Sequence, residues 1–370
     1  MKVNLLKSDF AGRQVVRGAM LLTILGAMAV ALSGTEVMAQ AEPKVVDGGV
    51  PTLHVYTNLI QIPTLVLGPN RERLEMPIAE SRFSVSIDSG PWFPATHVRP
   101  EGDDPISLSI LLDVSGDSSA LMPKIADAIS DLAPLSLHAR DRVSIYVLNC
   151  SLSQALEDAP AEKEDLKRAV DSSLQIWSDR RQKKHEGDCK PSSRLWDALT
   201  AIILDPVYHH PGRRVVLAIT DGIDRASTST WEYVRVVAQS AGVAIFGMVD
   251  VPLHLRGTWS RSPEDEFNSV CELSGGMILT TNESDLPETL KRFTQTLRER
   301  YIVEFPRPLS FSPGEHGLHV KIEKSKEDFI RSAGVSLPIE DPTVRADPAT
   351  VPSDPSRAPV EGSRKPMKPQ

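Results

Sequence analysis

The spacing of apolar positions predicts buried strands in the middle of the chain. The sequence of 106–112 is ISLSILL, a run too continuous for a half-exposed strand and too short to span a membrane. It predicts a fully buried strand of a parallel sheet. A second strand of this kind is predicted at 213–220, where the sequence is RRVVLAIT.

The segments around these two strands alternate between helical and extended spacing. Apolar residues recur every three to four positions in the predicted helices and lie at consecutive or alternate positions in the predicted strands. The predicted helices are 119–132, 161–177, 193–204, 231–240, 264–273 and 286–300, and the further strands are 142–148, 243–249 and 277–279. Repeated strand–helix units of this length indicate an α/β fold with a doubly wound, mostly parallel sheet covered on both faces.

Both flanks of this region contain strand-like segments with no predicted helix between them. They are 53–67 and 82–87 on one side and 301–305, 319–322 and 329–338 on the other. Because neither group could bury a face alone, we expect the two chain ends to form one small flanking β domain together. Residues 340–370 contain seven prolines and few apolar side chains, so they are predicted to be disordered.

Residues 1–39 have the composition of a secretory signal peptide. Four basic residues precede an apolar stretch at 19–32, and Val37-Met38-Ala39 supplies the small residues of a cleavage site. We therefore expect an exported protein, in the periplasm, the cell envelope or the extracellular space, with membrane attachment only if the leader is not cleaved. The predicted organisation is a signal peptide at 1–39, a β segment at 52–104, an α/β domain at 106–300, a β segment at 301–339 and a disordered tail at 340–370.

Charge and cysteine content narrow the functional classes. The formal net charge of the 370 residues is −8, and such an acidic chain lacks the electrostatic surface that nucleic acids require. In an oxidising compartment the preferred disulfide joins Cys150 to Cys189 and leaves Cys271 as a thiol, and the alternative is three reduced cysteines. The cysteine spacing does not suggest a zinc site.

Oxygen-bearing side chains cluster where the two core strands end. Asp113, Ser115 and Asp117 (or Ser118) follow the first strand, and Asp221 follows the second. Ser193 opens a predicted helix that also begins at the carboxyl edge of the sheet. If the two strands are neighbours, these segments converge at the edge where open α/β sheets bind ligands. Carboxylates and hydroxyls together suit Mg²⁺, with Mn²⁺ and Ca²⁺ as alternatives.

Motifs of two enzyme classes are absent from the sequence. Ser115 does not lie in a Gly-x-Ser-x-Gly elbow and has no recognisable histidine partner, which argues against a hydrolase triad. The pattern Gly-x-x-x-x-Gly-Lys-Ser/Thr is absent, so no P-loop is predicted. Asp197 and Asp224 are interpreted as carboxylates that fix local hydrogen bonds, with Asp224 as a candidate supporting group behind the ligands.

The order of these segments resembles the von Willebrand factor A domain, specifically the secreted bacterial proteins that carry this domain between short β segments. The metal-ion-dependent adhesion site of that family is an Asp-x-Ser-x-Ser loop, then a threonine, then an aspartate. Asp113 and Ser115 match the first two positions, Asp117 stands at the second serine, Ser193 stands at the threonine, and Asp221 matches the last. The resemblance covers about 106–300.

The resemblance implies a non-enzymatic binding protein in which an acidic side chain of a protein partner completes the coordination of the metal. Ser193 keeps the hydroxyl of the threonine that it replaces. Asp117 adds a carboxylate, which would make the ion less attractive to an incoming acid. The site therefore either binds metal and a partner acid more weakly than a full motif, or holds metal as a structural element. Two further alternatives are a metal-dependent hydrolase and a structural domain with a degenerate, empty site.

Overall fold

The computed structural model divides the chain into Met1–Thr52 and Leu53–Gln370, and every described residue belongs to the second unit. The described residues are 56–57, 59–74, 77–115, 121–134, 136–149, 151–182, 193–205, 213–250, 263–308, 314–325, 329–333, 335–337, 350–351 and 359–364. The predicted signal peptide lies outside this set, as do Asp117, Ser118, Cys150 and Cys189. Within the described set, no helix has the length and apolar character needed to cross a membrane.

A six-stranded sheet forms the centre of the α/β region. Its strands are β6 (Ile106–Asp113), β7 (Arg142–Leu148), β8 (Leu152–Pro160), β9 (Arg213–Ile219), β10 (Ala244–Asp250) and β11 (Ile278–Thr281). Their spatial order is β11-β10-β9-β6-β7-β8, and every pair is parallel except β7 with β8. The run 106–112 therefore forms a central strand, and all eight residues of β6 are buried.

Helices cover both faces of this sheet. The described helices are α1 (Met122–Ser130), α2 (Lys163–Gln182), α3 (Leu195–Leu204), α4 (Trp231–Ala241), α5 (Pro263–Leu273) and α6 (Leu286–Arg298). Apolar residues of α1, α2 and α6 pack with Leu108, Ile110 and Leu112 on one face. Those of α3, α4 and α5 pack with Leu111 on the other. This arrangement confirms the predicted doubly wound α/β class.

The flanking β structure is built from both chain ends, as predicted. Its strands are β1 (Tyr56–Thr57), β2 (Leu59–Leu67), β3 (Phe83–Ile87), β4 (Phe93–Pro94), β5 (His97–Pro100), β12 (Tyr301–Pro306), β13 (Gly314–His316), β14 (Leu318–Ile322), β15 (Phe329–Ser332), β16 (Val335–Leu337) and β17 (Thr350–Val351). One sheet has the order β15-β2-β12-β5 and another the order β14-β3-β4. Their apolar faces share a core that includes Ile62, Phe83 and Phe305.

A buried ion pair lies where the flanking strands meet the α/β region. Arg300 precedes β12 and Glu101 follows β5, and both side chains are almost completely inaccessible to solvent. The guanidinium donates two hydrogen bonds to the carboxylate, at 2.7 and 2.9 Å. The backbone N–H of Glu101 also donates to the carbonyl of Arg300 at 2.7 Å. Both charges are thereby satisfied without water.

Two pieces of the tail that the sequence predicts to be disordered are placed against this β structure. Thr350 and Val351 pair in parallel with β1. Residues 359–364 lie beside the turn after β3, where Gly362 donates to the carbonyl of Ile87 and Arg364 to that of Asp88. The proline-rich composition of the tail does not predict these backbone hydrogen bonds, because each contact involves only a few residues.

Candidate functional site

The carboxyl ends of β6 and β9 lie next to each other, as convergence of the predicted ligands requires. The register pairs Leu112 with Ile219, so Asp113 and Thr220 follow at the same edge of the sheet. Asp113, Thr220 and Ser193 are all buried. Three segments that are far apart in the chain therefore place polar side chains in one buried region.

Hydroxyl groups from all three segments converge on the carboxylate of Asp113. The Ser115 hydroxyl donates to Oδ1 at 2.6 Å, and the Ser115 backbone N–H donates to the same oxygen at 3.0 Å. The hydroxyls of Ser193 and Thr220 donate to Oδ2 at 3.1 and 2.8 Å. Thr220 was not among the predicted ligands, although its position after the last residue of β9 follows from the register.

Burial of Asp113 raises the pKa of its carboxyl group, because the charged form loses solvation. Hydrogen bonds from Ser115 and Thr220 oppose this shift, and the nearby charge of Asp221 adds to it. The two carboxylates are therefore close enough to repel each other. A cation bound between them would relieve that repulsion.

Asp221 begins a tight turn whose backbone is fixed by local hydrogen bonds. Gly222 has a φ of +74°, which glycine adopts without strain, and its N–H donates to the Thr220 hydroxyl at 3.1 Å. The N–H of Ile223 donates to Asp221 Oδ1 at 3.0 Å. The turn thus holds one oxygen of Asp221 in place.

Arg225 provides a basic side chain at this site that the sequence pattern does not predict. Its guanidinium donates to Asp221 Oδ2 at 2.9 Å, forming an ion pair four residues along the chain. Its backbone N–H donates to the carbonyl of Ser193 at 2.9 Å. Arg225 therefore joins two of the three site segments, and the only signal for it in the sequence is its spacing from Asp221.

Asp224 and Asp197 fix the loop behind these residues, in agreement with their interpretation from the sequence. Asp224 accepts hydrogen bonds from the N–H of Trp196 and from both the N–H and the hydroxyl of Ser227. Asp197 accepts from the backbone N–H groups of Thr228 and Ser229. Burial acts to raise the pKa of Asp197, but these hydrogen bonds outweigh it and lower that pKa below its ordinary value.

The residues present fit a hard divalent cation. Asp113, Ser115, Ser193 and Asp221 offer only oxygen atoms, the preferred donors of Mg²⁺ and Mn²⁺. The remaining predicted ligand, Asp117, lies outside the described residues. Metal binding at Asp221 would compete with Arg225 for the carboxylate.

Comparisons with known proteins give weak similarities. No family model matches the chain, and no curated protein matches it. A structure of proximal thread matrix protein 1 from the mussel byssus is 15% identical, with a TM-score of 0.39, over 54% of this chain and 49% of that one. Another structure of that protein is described with a zinc-occupied MIDAS motif.

Two further structures align over almost their whole length. BatB from Bacteroides thetaiotaomicron is 15% identical, with a TM-score of 0.37, over 52% of this chain and 98% of that one. The manganese-loaded TRAP protein of Plasmodium vivax is 14% identical, with a TM-score of 0.34, over 65% of this chain and 98% of that one. The chain spans about half of the mussel protein and nearly all of these two, and none of the similarities is high enough to assign a function.

Proposed function

We propose that this chain is an exported binding protein of the von Willebrand factor A type. A divalent cation at the carboxyl edge of its central sheet would bind an acidic side chain of a protein partner. The observation that carries the proposal is the convergence of Ser115, Ser193 and Thr220 on the buried carboxylate of Asp113.

This convergence distinguishes a prepared cation site from an ordinary buried aspartate. The structural carboxylates Asp197 and Asp224 accept mostly from backbone N–H groups, whereas Asp113 receives hydroxyls from three segments and interacts with the charge of a second carboxylate, Asp221. Hydroxyl oxygens also accept, so the same groups that donate to Asp113 can turn toward a cation. Asp113, Ser115, Ser193 and Asp221 would hold the ion, with Asp117 as a further candidate. The ion would supply a positive charge to which a carboxylate of the partner binds.

The described residues favour binding over hydrolysis. A hydrolase needs a general base that is available to activate water. The candidate bases are Asp117, which lies outside the described residues, and Asp224, which already accepts three hydrogen bonds from Trp196 and Ser227. Asp224 is therefore committed to holding the loop. A phosphatase assay of the mature chain with Mg²⁺ tests this assignment, and metal-dependent turnover lost in Asp113→Asn would contradict it.

Metal binding is tested by titrating the mature chain with Mg²⁺ and with Mn²⁺ in a calorimeter. The variants are Asp113→Asn, which keeps the size of the side chain, and Asp113→Ala. Asp165→Asn is the matched control, since Asp165 is a carboxylate of α2 whose partner is Arg168. We expect the parent and the control to bind one ion at this site and both Asp113 variants to lose it. Equal, negligible heats from the parent and the Asp113 variants would refute the proposal.

Recognition of a partner is tested separately. The immobilised parent and Asp113→Asn are incubated with envelope extract of the native cell, with and without EDTA. A partner that uses the cation is retained only by the parent and only without EDTA. A partner that is retained equally with Asp113→Asn and with EDTA would contradict the proposed mode of binding.

Sequencing the amino terminus of the exported protein would test cleavage after Ala39.

A further inference from the structure

A second group of possible metal ligands lies in the flanking β structure, outside the central sheet. Asp88, His316 and Glu361 each place a ligand atom within 4.8 Å of the others. The side chains of Asp88 and His316 are buried, and that of Glu361 is 15% exposed. The three residues come from the turn after β3, the end of β13 and the segment 359–364.

The turn after β3 orients Asp88 toward this group. Ile87–Gly90 closes with a hydrogen bond from Gly90 N–H to the Ile87 carbonyl at 2.8 Å, and Asp88 and Ser89 have φ values of +50° and +60°. Positive φ at both central positions defines a type I′ turn, which asparagine, aspartate and glycine tolerate best. Asp88 Oδ1 then accepts from the N–H of Gly317 at 2.7 Å. One oxygen of the carboxylate is thus fixed by backbone, while the other faces His316.

The imidazole of His316 lies between the two carboxylates. Its Nδ1 is 2.7 Å from Asp88 Oδ2 and 3.7 Å from Glu361 Oε1. Ligands of a tetrahedral zinc ion, each about 2.0–2.1 Å from the metal, are separated by about 3.3 Å. The 2.7 Å contact is a hydrogen bond that the ion would replace, and with small side-chain movements the three residues would supply three of the four ligands.

The charges of these three side chains also favour a divalent cation. Two carboxylates beside one imidazole leave a net negative charge in a largely buried place, even if the imidazole is protonated. A neutral imidazole, two carboxylates and a divalent ion sum to zero. One nitrogen and two oxygen donors suit Zn²⁺, and this donor set differs from the all-oxygen set at Asp113.

The third ligand is carried by a segment that packs closely on the turn. A Cβ atom at Gly362 would lie 2.1 Å from the Asp88 carbonyl oxygen, and one at Gly90 would lie 2.4 Å from that of Val360. Glycine at both positions therefore permits the close approach that brings Glu361 to His316. We propose that Asp88, His316 and Glu361 bind a zinc-type divalent cation that fastens the segment 359–364 to the flanking β structure.

The proposal is tested in the full chain carrying Asp113→Asn, so that the site on the central sheet does not contribute. After metal is removed with EDTA, Zn²⁺ binding is measured by calorimetry, and Co²⁺ binding by visible absorption, whose intensity reports a tetrahedral site. His316→Gln and Glu361→Gln are compared with Glu323→Gln, an exposed carboxylate of the same β structure. We expect the chain that carries Asp113→Asn alone, which is the background, and the Glu323→Gln control to bind one ion each. In the two ligand variants, binding should weaken by at least the roughly 10- to 100-fold that loss of a supporting group costs.

Hydrogen exchange gives a readout that is independent of affinity. The N–H groups of Gly362 and Arg364 donate to the turn, so Zn²⁺ should slow exchange in peptides covering 359–364 in the background but not in Glu361→Gln. Absence of Zn²⁺ binding in the background would overturn the proposal. Binding that survives both His316→Gln and Glu361→Gln would overturn it as well. Neither result would affect the function proposed for Asp113.

Discussion

Replacing Arg225 by glutamine should strengthen metal binding at the site on the central sheet. In the structure, the guanidinium of Arg225 neutralises Asp221 Oδ2, while Oδ1 is held by the N–H of Ile223. A cation that uses Asp221 must displace or share this partner. Glutamine cannot form the ion pair, but it leaves the backbone contact from residue 225 to Ser193 unchanged.

The size of the effect follows from the burial of the pair. The side chain of Asp221 is 7% exposed and that of Arg225 is 37% exposed. The pair therefore lies between a surface ion pair, which contributes up to about 1 kcal/mol, and a buried pair, whose disruption costs about 3–5 kcal/mol. If displacing Arg225 from Asp221 costs the cation about 1–2 kcal/mol of binding free energy, the Kd of the variant is roughly 5- to 30-fold lower.

The assay is a calorimetric titration of Mn²⁺ into the parent, Arg225→Gln and Arg168→Gln. Arg168 pairs with Asp165 on α2, so the control removes the same charge from another carboxylate. We expect tighter binding only in Arg225→Gln, with unchanged stoichiometry. A Kd equal to or higher than that of the parent would show that Arg225 does not compete with the ion, and would refute the role of Asp221 as a ligand.

Three further predictions concern stability and reactivity. Arg300→Met leaves the buried charge of Glu101 without its partner, so urea denaturation should show a loss of about 3–5 kcal/mol; a loss below about 1 kcal/mol would contradict the role given to this pair. Because the pKa of Asp197 is lowered in the folded protein, its stabilising contribution is present above pH 3.8 and is lost as the pH falls through the folded-state pKa. The difference in urea midpoint between the parent and Asp197→Asn should therefore be largest near neutral pH and shrink in acid, and a constant difference would argue against this linkage. Burial, with the charge of Glu272, raises the pKa of the Cys271 thiol, so Cys271 should resist Ellman's reagent at pH 8 until the chain is unfolded, as peptide mapping would check.

The sequence predicted those parts of the fold that long apolar runs specify. The strands β6 and β9 were identified because apolar residues dominate both sequences, as expected of strands that are buried on both faces. The edge strand β8 was missed because its sequence, LSQALEDAP, has polar residues at four of nine positions and only one buried position. It pairs with β7 with a register shift between Val143 and Ile145, and side-chain contacts such as the ion pair of Arg142 with Asp158 also join the two strands. Edge strands of this kind carry little apolar signal.

The meeting of Asp113, Ser115 and Ser193 could be predicted from the sequence, but the ion pair at Asp221 could not. Asp113, Ser115, Ser193 and Asp221 follow or precede strongly patterned elements, so their convergence could be inferred from the topology. Arg225 follows a turn, and whether its side chain reaches Asp221 depends on the φ of Gly222 and on the loop conformation. The group at Asp88, His316 and Glu361 was missed for another reason, since its segments have no shared pattern and meet only through tertiary packing.

The strand order explains why the proposed cation site lies at the ends of β6 and β9, beside Asp113 and Thr220, and not at the ends of another strand pair. From β6 the chain continues through α1 to β7 on one side, whereas from β9 it continues through α4 to β10 on the other side. Since α1 and α4 pack on opposite faces, the chain diverges between β6 and β9, and such a reversal point opens a crevice at the carboxyl edge. The proposed site at Asp88, His316 and Glu361 does not lie at such a reversal point. It depends on the close contact between the turn at Gly90 and the segment at Gly362. Gly362→Ala should therefore weaken Zn²⁺ binding at His316 while leaving Mn²⁺ binding at Asp113 unchanged, because the two sites share neither residues nor sheet.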